Sequence, residues 1–150
     1  MKLVENIPLN TNIIAELIPD QDDLFLVWPK AKYPFDHGQW RESLNPEAGN
    51  VPFLIYDGDR LIGQAAIRKT DEEHKYSLSC LYIMPELRSK GLGQKMLALL
   101  EQYAKDRLGA EKLCLVVRTY NPRAQRCYLK CGFSEDSREG TLIRMSKRVK

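Results

Sequence analysis

The apolar positions of this chain change their spacing twice, and each change predicts a different kind of element. Met1 to Glu5 is long enough for one short strand. Ile13, Ile14, Leu17 and Ile18 then recur at helical spacing behind a cap at Asn10 or Thr11, which predicts a helix over Thr11 to Ile18. Asp20 to Val27 predicts a further turn or two of helix, stopped by Pro29. Trp28 to Gly38 mixes aromatics with prolines and predicts irregular chain. Asp36 then caps a short helix through Trp40 and Leu44.

The middle of the chain reads as strands. Val51 to Tyr56 and Arg60 to Arg68 form a hairpin about Asp57-Gly58-Asp59. Thr70 to Lys75 is a polar loop. Tyr76 to Met84 is a third strand with Leu78, Cys80 and Tyr82 on one face, ended by Pro85. Helical spacing returns in Gly91 to Leu108, where Leu92, Met96, Leu97, Leu100, Tyr103 and Ala104 make an apolar stripe and Gly109 a stop. Lys112 to Arg118 is almost unbroken apolar, as in a strand covered on both faces. Asn121 is an N-cap, Pro122 the first helical residue, and Ala124, Cys127, Tyr128 and Cys131 share one helix face up to Gly132. Phe133 onward is a terminal hairpin, broken near Glu139-Gly140, with its last strand over Thr141 to Val149. This order predicts an α/β (mixed α+β) fold on one sheet.

Length and composition narrow the class. A chain of 150 residues, 43% hydrophobic and 29% charged, has the size and balance of one globular domain, residues 1–150. No apolar run approaches the roughly 20 residues that span a bilayer, and the start lacks the pattern of a secretory signal. The expectation is a cytoplasmic chain with no membrane partner. A net charge of +3 does not imply nucleic acid, and the basic end, Arg144 to Lys150, lacks an aromatic-interleaved surface. The 4 cysteines all lie in apolar-patterned segments, where a free thiol behaves as a small hydrophobe. Cys127 and Cys131 have neither His37 nor His74 near them in sequence, so no metal site is expected.

The junction from Leu81 to Lys95 carries the chemistry. A strand ends, a basic loop with Gly91 and Gly93 follows, and a long helix opens. The free N–H groups of a first helical turn, backed by the helix dipole, favour an anion. Arg88, Lys90 and Lys95 add cations, which makes a cradle for a pyrophosphate. A P-loop is absent, and a dinucleotide fingerprint fails because Met96 stands where its third glycine belongs. A turn that needs two glycines and is basic by chance remains the plain alternative.

Arg88-Ser89-Lys90-Gly91-Leu92-Gly93 matches the Arg/Gln-x-x-Gly-x-Gly/Ala signature of the GNAT superfamily of N-acetyltransferases. Leu81 to Pro85 resembles the strand and proline before that signature. Asn121, Ala124, Tyr128 and Lys130-Cys131-Gly132-Phe133 resemble the family's second motif. The resemblance runs from about Val51 to Phe133. It implies a GNAT-like acyl-CoA N-acyltransferase fold, its central mixed sheet splayed between two parallel strands and flanked by helices. It also implies acetyl-CoA as cosubstrate, with no metal, and direct transfer of acetyl to a primary amine on a small molecule or peptide. Backbone groups of Leu81, Tyr82 and Ile83 would pair with the pantetheine arm and polarise the thioester carbonyl. Arg88, Ser89, Lys90, Gly91, Leu92, Gly93 and Gln94 would hold the pyrophosphate. Asn121 and Ala124 would meet the cofactor arm, and Tyr128 would protonate the departing thiolate. A homodimer is compatible with the family.

Bland readings stand beside these roles. Tyr128 lies on an apolar helix face and fits a packed core position; Asn121 is explained by capping alone. No carboxylate base lies within Tyr76 to Met84 or Lys112 to Arg118, and Glu72, Glu73, His74, Glu111, Asp36 and His37 are only edge candidates. Trp28, Tyr33, Phe35 and Trp40 form either an acceptor wall or an apolar plug over the sheet. The missing base keeps open a non-catalytic acyl-CoA-binding regulatory module, and the basic end a nucleic-acid-binding domain.

Overall fold

The computed structural model describes residues 1–149. Its elements follow in the order β1 (Lys2–Glu5), α1 (Thr11–Leu17), α2 (Gln21–Val27), α3 (His37–Ser43), β2 (Val51–Asp57), β3 (Arg60–Lys69), β4 (Lys75–Ile83), α4 (Leu92–Leu108), β5 (Lys112–Arg118), α5 (Pro122–Lys130), β6 (Ser134–Glu139) and β7 (Leu142–Arg148). The caps read from sequence at Asn10, Asp36 and Asn121 are in place, and Asp20 adds one that was not read. Asn10 accepts from Asn12 and Ile13, Asp20 from Asp23, Asp36 from Gln39, and Asn121 from Ala124.

The strands make one sheet ordered β1-β2-β3-β4-β5-β7-β6. Every pairing is antiparallel except β4 with β5, which run parallel and are joined by α4 as the crossover. Two cores cover its two faces. On one, Leu97, Leu100 and Ala104 of α4 pack on Ile67, Leu78, Leu113, Leu115 and Val117, with Cys127, Tyr128 and Cys131 of α5 beside them. On the other, Ile14, Leu17, Leu24, Trp40 and Leu44 of the N-terminal helices pack on Ala66, Cys80 and Tyr82. No helix among the described residues is long and apolar enough to cross a membrane.

One expectation about β4 is corrected. Leu78 lies in the α4 core, whereas Cys80 and Tyr82 lie in the opposite core. The cause is a bulge. Gln64 faces Tyr82 but Ala66 faces Ser79, so Cys80 and Leu81 together oppose one residue of β3. Cys80 takes φ 54 there. An inserted residue reverses the alternation, and nothing in the apolar pattern announces it.

Candidate functional site

The parallel pairing of β4 and β5 covers only Lys75, Tyr76 and Ser77 against Lys112, Leu113 and Cys114. Beyond that row, β4 continues to Ile83 and β5 to Arg118 without bonding to each other. The two strands splay, and a cleft of about 1060 Å³ opens between them. Val116, in the middle of β5, is 58% exposed where β4 has left its side.

Two features hold β4 in shape along this gap. Gln64, buried on β3, donates its Nε2 to the Cys80 carbonyl at 2.7 Å and fixes the bulge. Gly63 lets the strands close on one another, since a Cβ there would lie 2.2 Å from the Tyr82 carbonyl oxygen. The burial behind the bulge pushes the Cys80 thiol up to about 12.

After β4 the chain makes a 3₁₀ turn over Pro85–Leu87 and enters α4 through Gly91, which sits at φ 79 and offers no side-chain cap. The first amides of α4 therefore have no capping side chain of their own. Gly91 would accept a Cβ without collision, so its left-handed backbone is the constraint; Gly93 instead faces α5, a Cβ there lying 3.3 Å from Cys127 Sγ. Ser89, Gly91, Gly93 and Gln94 line the cleft, as do Leu81, Tyr82 and Ile83. Lys90 and Leu92 do not line it.

Arg88 lines the cleft but is also engaged by the protein. Its Nε donates to the Ile83 carbonyl at 2.8 Å, and its Nη1 lies 3.3 Å from Asp23 of α2, both side chains being largely buried. The guanidinium also rests 5.2 Å from the centre of the Tyr82 ring. Arg88 thus ties the loop before α4 to both β4 and α2.

The other wall is α5. Asn121 caps it at 3.4 Å through Oδ1, and Asn121, Ala124 and Tyr128 all line the cleft. Tyr128 also packs in the α4 core, its ring 6.3 Å from that of Phe133. Both readings of this residue therefore hold at once: the ring is core and the cleft runs beside it. Among the described residues its hydroxyl has no hydrogen-bond partner. Burial pushes its pKa above the ordinary phenol range, with Arg123 pulling the other way. Arg123, Arg126 and Lys130 add cations to this wall. Burial and then neighbouring Arg88 lower the pKa of Arg123, a sign of crowded positive charge.

On the opposite face the wall is α2, α3 and the segment between them, with Trp28, Lys30, Gln39, Glu42 and Ser43 on the cleft. Of the aromatics in this region, Trp28 alone reaches the cleft. Trp40 is fully buried, with Trp28 edge-on at 5.0 Å and Phe35 stacked at 5.3 Å, while Tyr33 is 52% exposed. The segment is mainly a plug. The edge bases do not come to the site: Glu72 pairs with Lys75 and Glu73 with His74 in a loop remote from the cleft, and His37 Nδ1 bonds the Thr11 hydroxyl at 2.8 Å. Glu42 is the one carboxylate lining the cleft among the described residues.

Sequence reasoning missed Gly63, Gln64, Arg68, Arg118 and the cations of α5 as site residues. The basic spacing Arg123, Arg126, Lys130 on one helix was a readable signal; Arg68 in a strand was not.

The comparisons agree with this architecture. The family model for the GNAT acetyltransferase family matches residues 14–133. Among curated proteins no relative matches the sequence. Spermidine N-acetyltransferase of Vibrio cholerae, solved with CoA and spermine, superposes with TM-score 0.80 at 19% identity, covering 98% of this chain and 94% of that one. The N-acetyltransferase PseH of Campylobacter jejuni superposes with TM-score 0.72 at 19% identity, covering 98% and 96%. At these identities the likeness is one of fold.

Proposed function

The chain belongs to the GNAT family of acetyltransferases and is an acetyl-CoA-dependent N-acetyltransferase, and from that premise we propose how its cleft carries out direct transfer to a primary amine. The observation that carries the reading is the splay of β4 from β5 beyond Ser77 and Cys114, with the uncapped start of α4 at one end and Tyr128 along the wall.

Acetyl-CoA lies in the gap. The backbone of Leu81, Tyr82 and Ile83 pairs with its pantetheine arm as a partial extra strand. The pyrophosphate rests on the amides of Gly91 to Gln94 with Ser89 beside them, where the positive end of α4 stabilises it. Lys90 contributes charge from outside the cleft, and Leu92 contributes its amide rather than its side chain. Arg88 acts mainly as the tie that holds this loop. Asn121 and Ala124 meet the cofactor arm.

The amine enters from the face of α2 and α3 and attacks the thioester carbonyl, whose oxygen is stabilised by β4 amides at the bulge. The Tyr128 phenol, protonated at neutral pH as any phenol is, can give a proton to the departing CoA thiolate. Glu42 is the nearest thing to a base that the cleft wall offers, and an exposed carboxylate there also draws an ammonium in. The reaction unit is one domain, residues 1–150, working in the cytoplasm with reduced thiols and without metal, nucleic acid or membrane.

Calorimetry with acetyl-CoA and a CoA-release assay over a panel of primary amines test the proposal together. Micromolar binding with amine-dependent release of CoA is expected. Binding without release from any amine would leave the regulatory-module reading in its place.

A further inference from the structure

The charges around the cleft divide by face. Arg88, Arg123, Arg126 and Lys130 stand on the side where α4 and α5 meet the gap; Asp23 already pairs with Arg88, and the other three lie on the proposed cofactor side. Lys30, Arg68 and Arg118 stand on the other side, against Glu42 alone. A polycationic acceptor would meet like charge there.

Arg68 is the informative member of this set. It sits on β3 two residues beyond Ala66, on the face of the N-terminal helices, since side chains alternate along a strand. Its row across the sheet is Arg68, Ser77, Cys114, which is the last row before β4 and β5 part. Arg68 therefore stands at the apex of the gap, on the acceptor face. The hydroxyls of Ser77 and Ser79 lie next to it on β4, 3.4 Å apart. Its Nε is buried and has no hydrogen-bond partner, and among the described residues no carboxylate pairs with its guanidinium. A buried donor without an acceptor costs free energy, and a guanidinium fork is shaped to recover it from an oxyanion. The Nε of Arg118 is likewise buried without a partner, but Arg118 lies four residues further along β5 than Cys114, away from the apex, and its Nη1 already donates to the Thr141 hydroxyl at 3.3 Å.

We infer that the acceptor is an amine that also carries an anionic group, a carboxylate or a phosphate, and that Arg68 takes that group at the apex of the gap. The inference rests on the N-acetyltransferase reading and names its substrate class. The amine then lies near the bulge, about 10 Å along β4 from the Ser77 row at a rise of about 3.3 Å per residue. The Arg68 side chain covers part of that distance and a small bifunctional amine the rest, with Glu42 the one carboxylate that lines the cleft among the described residues.

Matched acceptor pairs test it with CoA release as the readout: glycylglycine against glycylglycinamide, phosphoethanolamine against ethanolamine, and spermidine alone. The anionic member of at least one pair is expected to exceed its neutral partner in kcat/KM by about ten-fold or more, and the larger ratio identifies carboxylate or phosphate. Arg68→Gln should collapse that ratio toward one, mainly through KM, with acetyl-CoA affinity and melting temperature as the folding controls. If Arg68→Gln does not fold, the wild-type ratios together with Arg68→Lys decide, the lysine keeping only part of the preference. Neutral members or spermidine preferred by the wild type would overturn the inference while leaving the N-acetyltransferase reading intact. An anion preference unchanged in Arg68→Gln or Arg68→Lys would remove Arg68 from it. No release from any amine, with acetyl-CoA bound, would remove both readings.

Discussion

The two faces that meet at the splayed strands are built by different means. On the α4 and α5 face, one contiguous stretch of chain lines the cleft, the end of β4, the loop with Ser89 and Gly91 and the first turn of α4, and α5 completes the wall. Most of them are backbone, placed by the fold itself. On the α2 and α3 face, the groups are side chains from separate elements, with Glu42 on α3, Arg68 on β3, and Val116 and Arg118 on β5. Backbone amides serve the same phosphate in any chain with this turn. Side chains on the second face can change without disturbing the sheet, so that face is the one we propose to set the acceptor. The division predicts that variants of the first face act on the cofactor and the thiolate, and variants of the second on the amine.

The largest expected effect is at Tyr128, which we propose as the general acid. Tyr128→Phe keeps the ring against Phe133 and removes only the hydroxyl, which no protein group holds. General acid catalysis is worth about 100- to 10,000-fold, so kcat should fall by at least about ten-fold. Acetyl-CoA affinity and melting temperature should stay close to the wild type. Full activity in steady-state assays would show that the ring serves packing alone.

Next is the entry to α4. Gly91→Val forces a β-branched residue into a left-handed conformation, at a cost of about 1–2 kcal/mol, in a turn that must present amides to phosphate. Calorimetry should show acetyl-CoA binding weakened by about ten-fold, the equivalent of about 1.4 kcal/mol. Acceptor KM measured at saturating acetyl-CoA should change far less. Equal losses on both ligands would break the division between the faces.

Gln64 tests the seam. Gln64→Leu removes the donor to the Cys80 carbonyl and leaves a buried acceptor unpaired, which typically costs about 1–3 kcal/mol. Chemical denaturation should show a loss of that size. Because the bulge shapes β4 on both faces, kcat should fall with it, by a few-fold. A stable variant with full kcat would show that the bulge holds without its glutamine.

The smallest effect is the alkaline one. Burial pushes Cys80 up to about 12 and Cys127 to about 11 from an ordinary 9.0, and raises Tyr128. The unfolded chain releases these protons at lower pH than the folded one. Stability present below pH 9 is therefore lost gradually as pH rises from about 9 to 12, and the melting temperature should decline across that window. For the same reason a thiol reagent at pH 8 should reach Cys80 only after unfolding. A flat melting profile would mean that these thiols are more open than their packing indicates.

What the sequence by itself determined is local and repetitive. Helical spacing in Leu92 to Ala104, the apolar run of Lys112 to Arg118, the caps Asn10, Asp36 and Asn121, and the strand–loop–helix around Gly91 all express rules that act within a few residues. From these came the element order, and with the GNAT-like motifs came most of the residues that line the cleft on the α4 and α5 side, Tyr128 among them. The terminal hairpin was legible only from its turn at Glu139-Gly140, because β6 is exposed along its whole length and carries no apolar pattern. Tertiary structure decided the rest. The bulge at Cys80 depends on a side chain sixteen positions away, Gln64, and on a close approach that only Gly63 permits. Trp40 and Phe35 became plug rather than pocket because the N-terminal helices needed a core of their own on the second face of the sheet. Arg88 gained a partner in Asp23, and Arg68 acquired none among the described residues, through the packing of α2 and the parting of β4 from β5. A charge in a strand reads as a solvent-facing position until the fold shows what stands opposite it, and that is why the acceptor face is invisible along the chain.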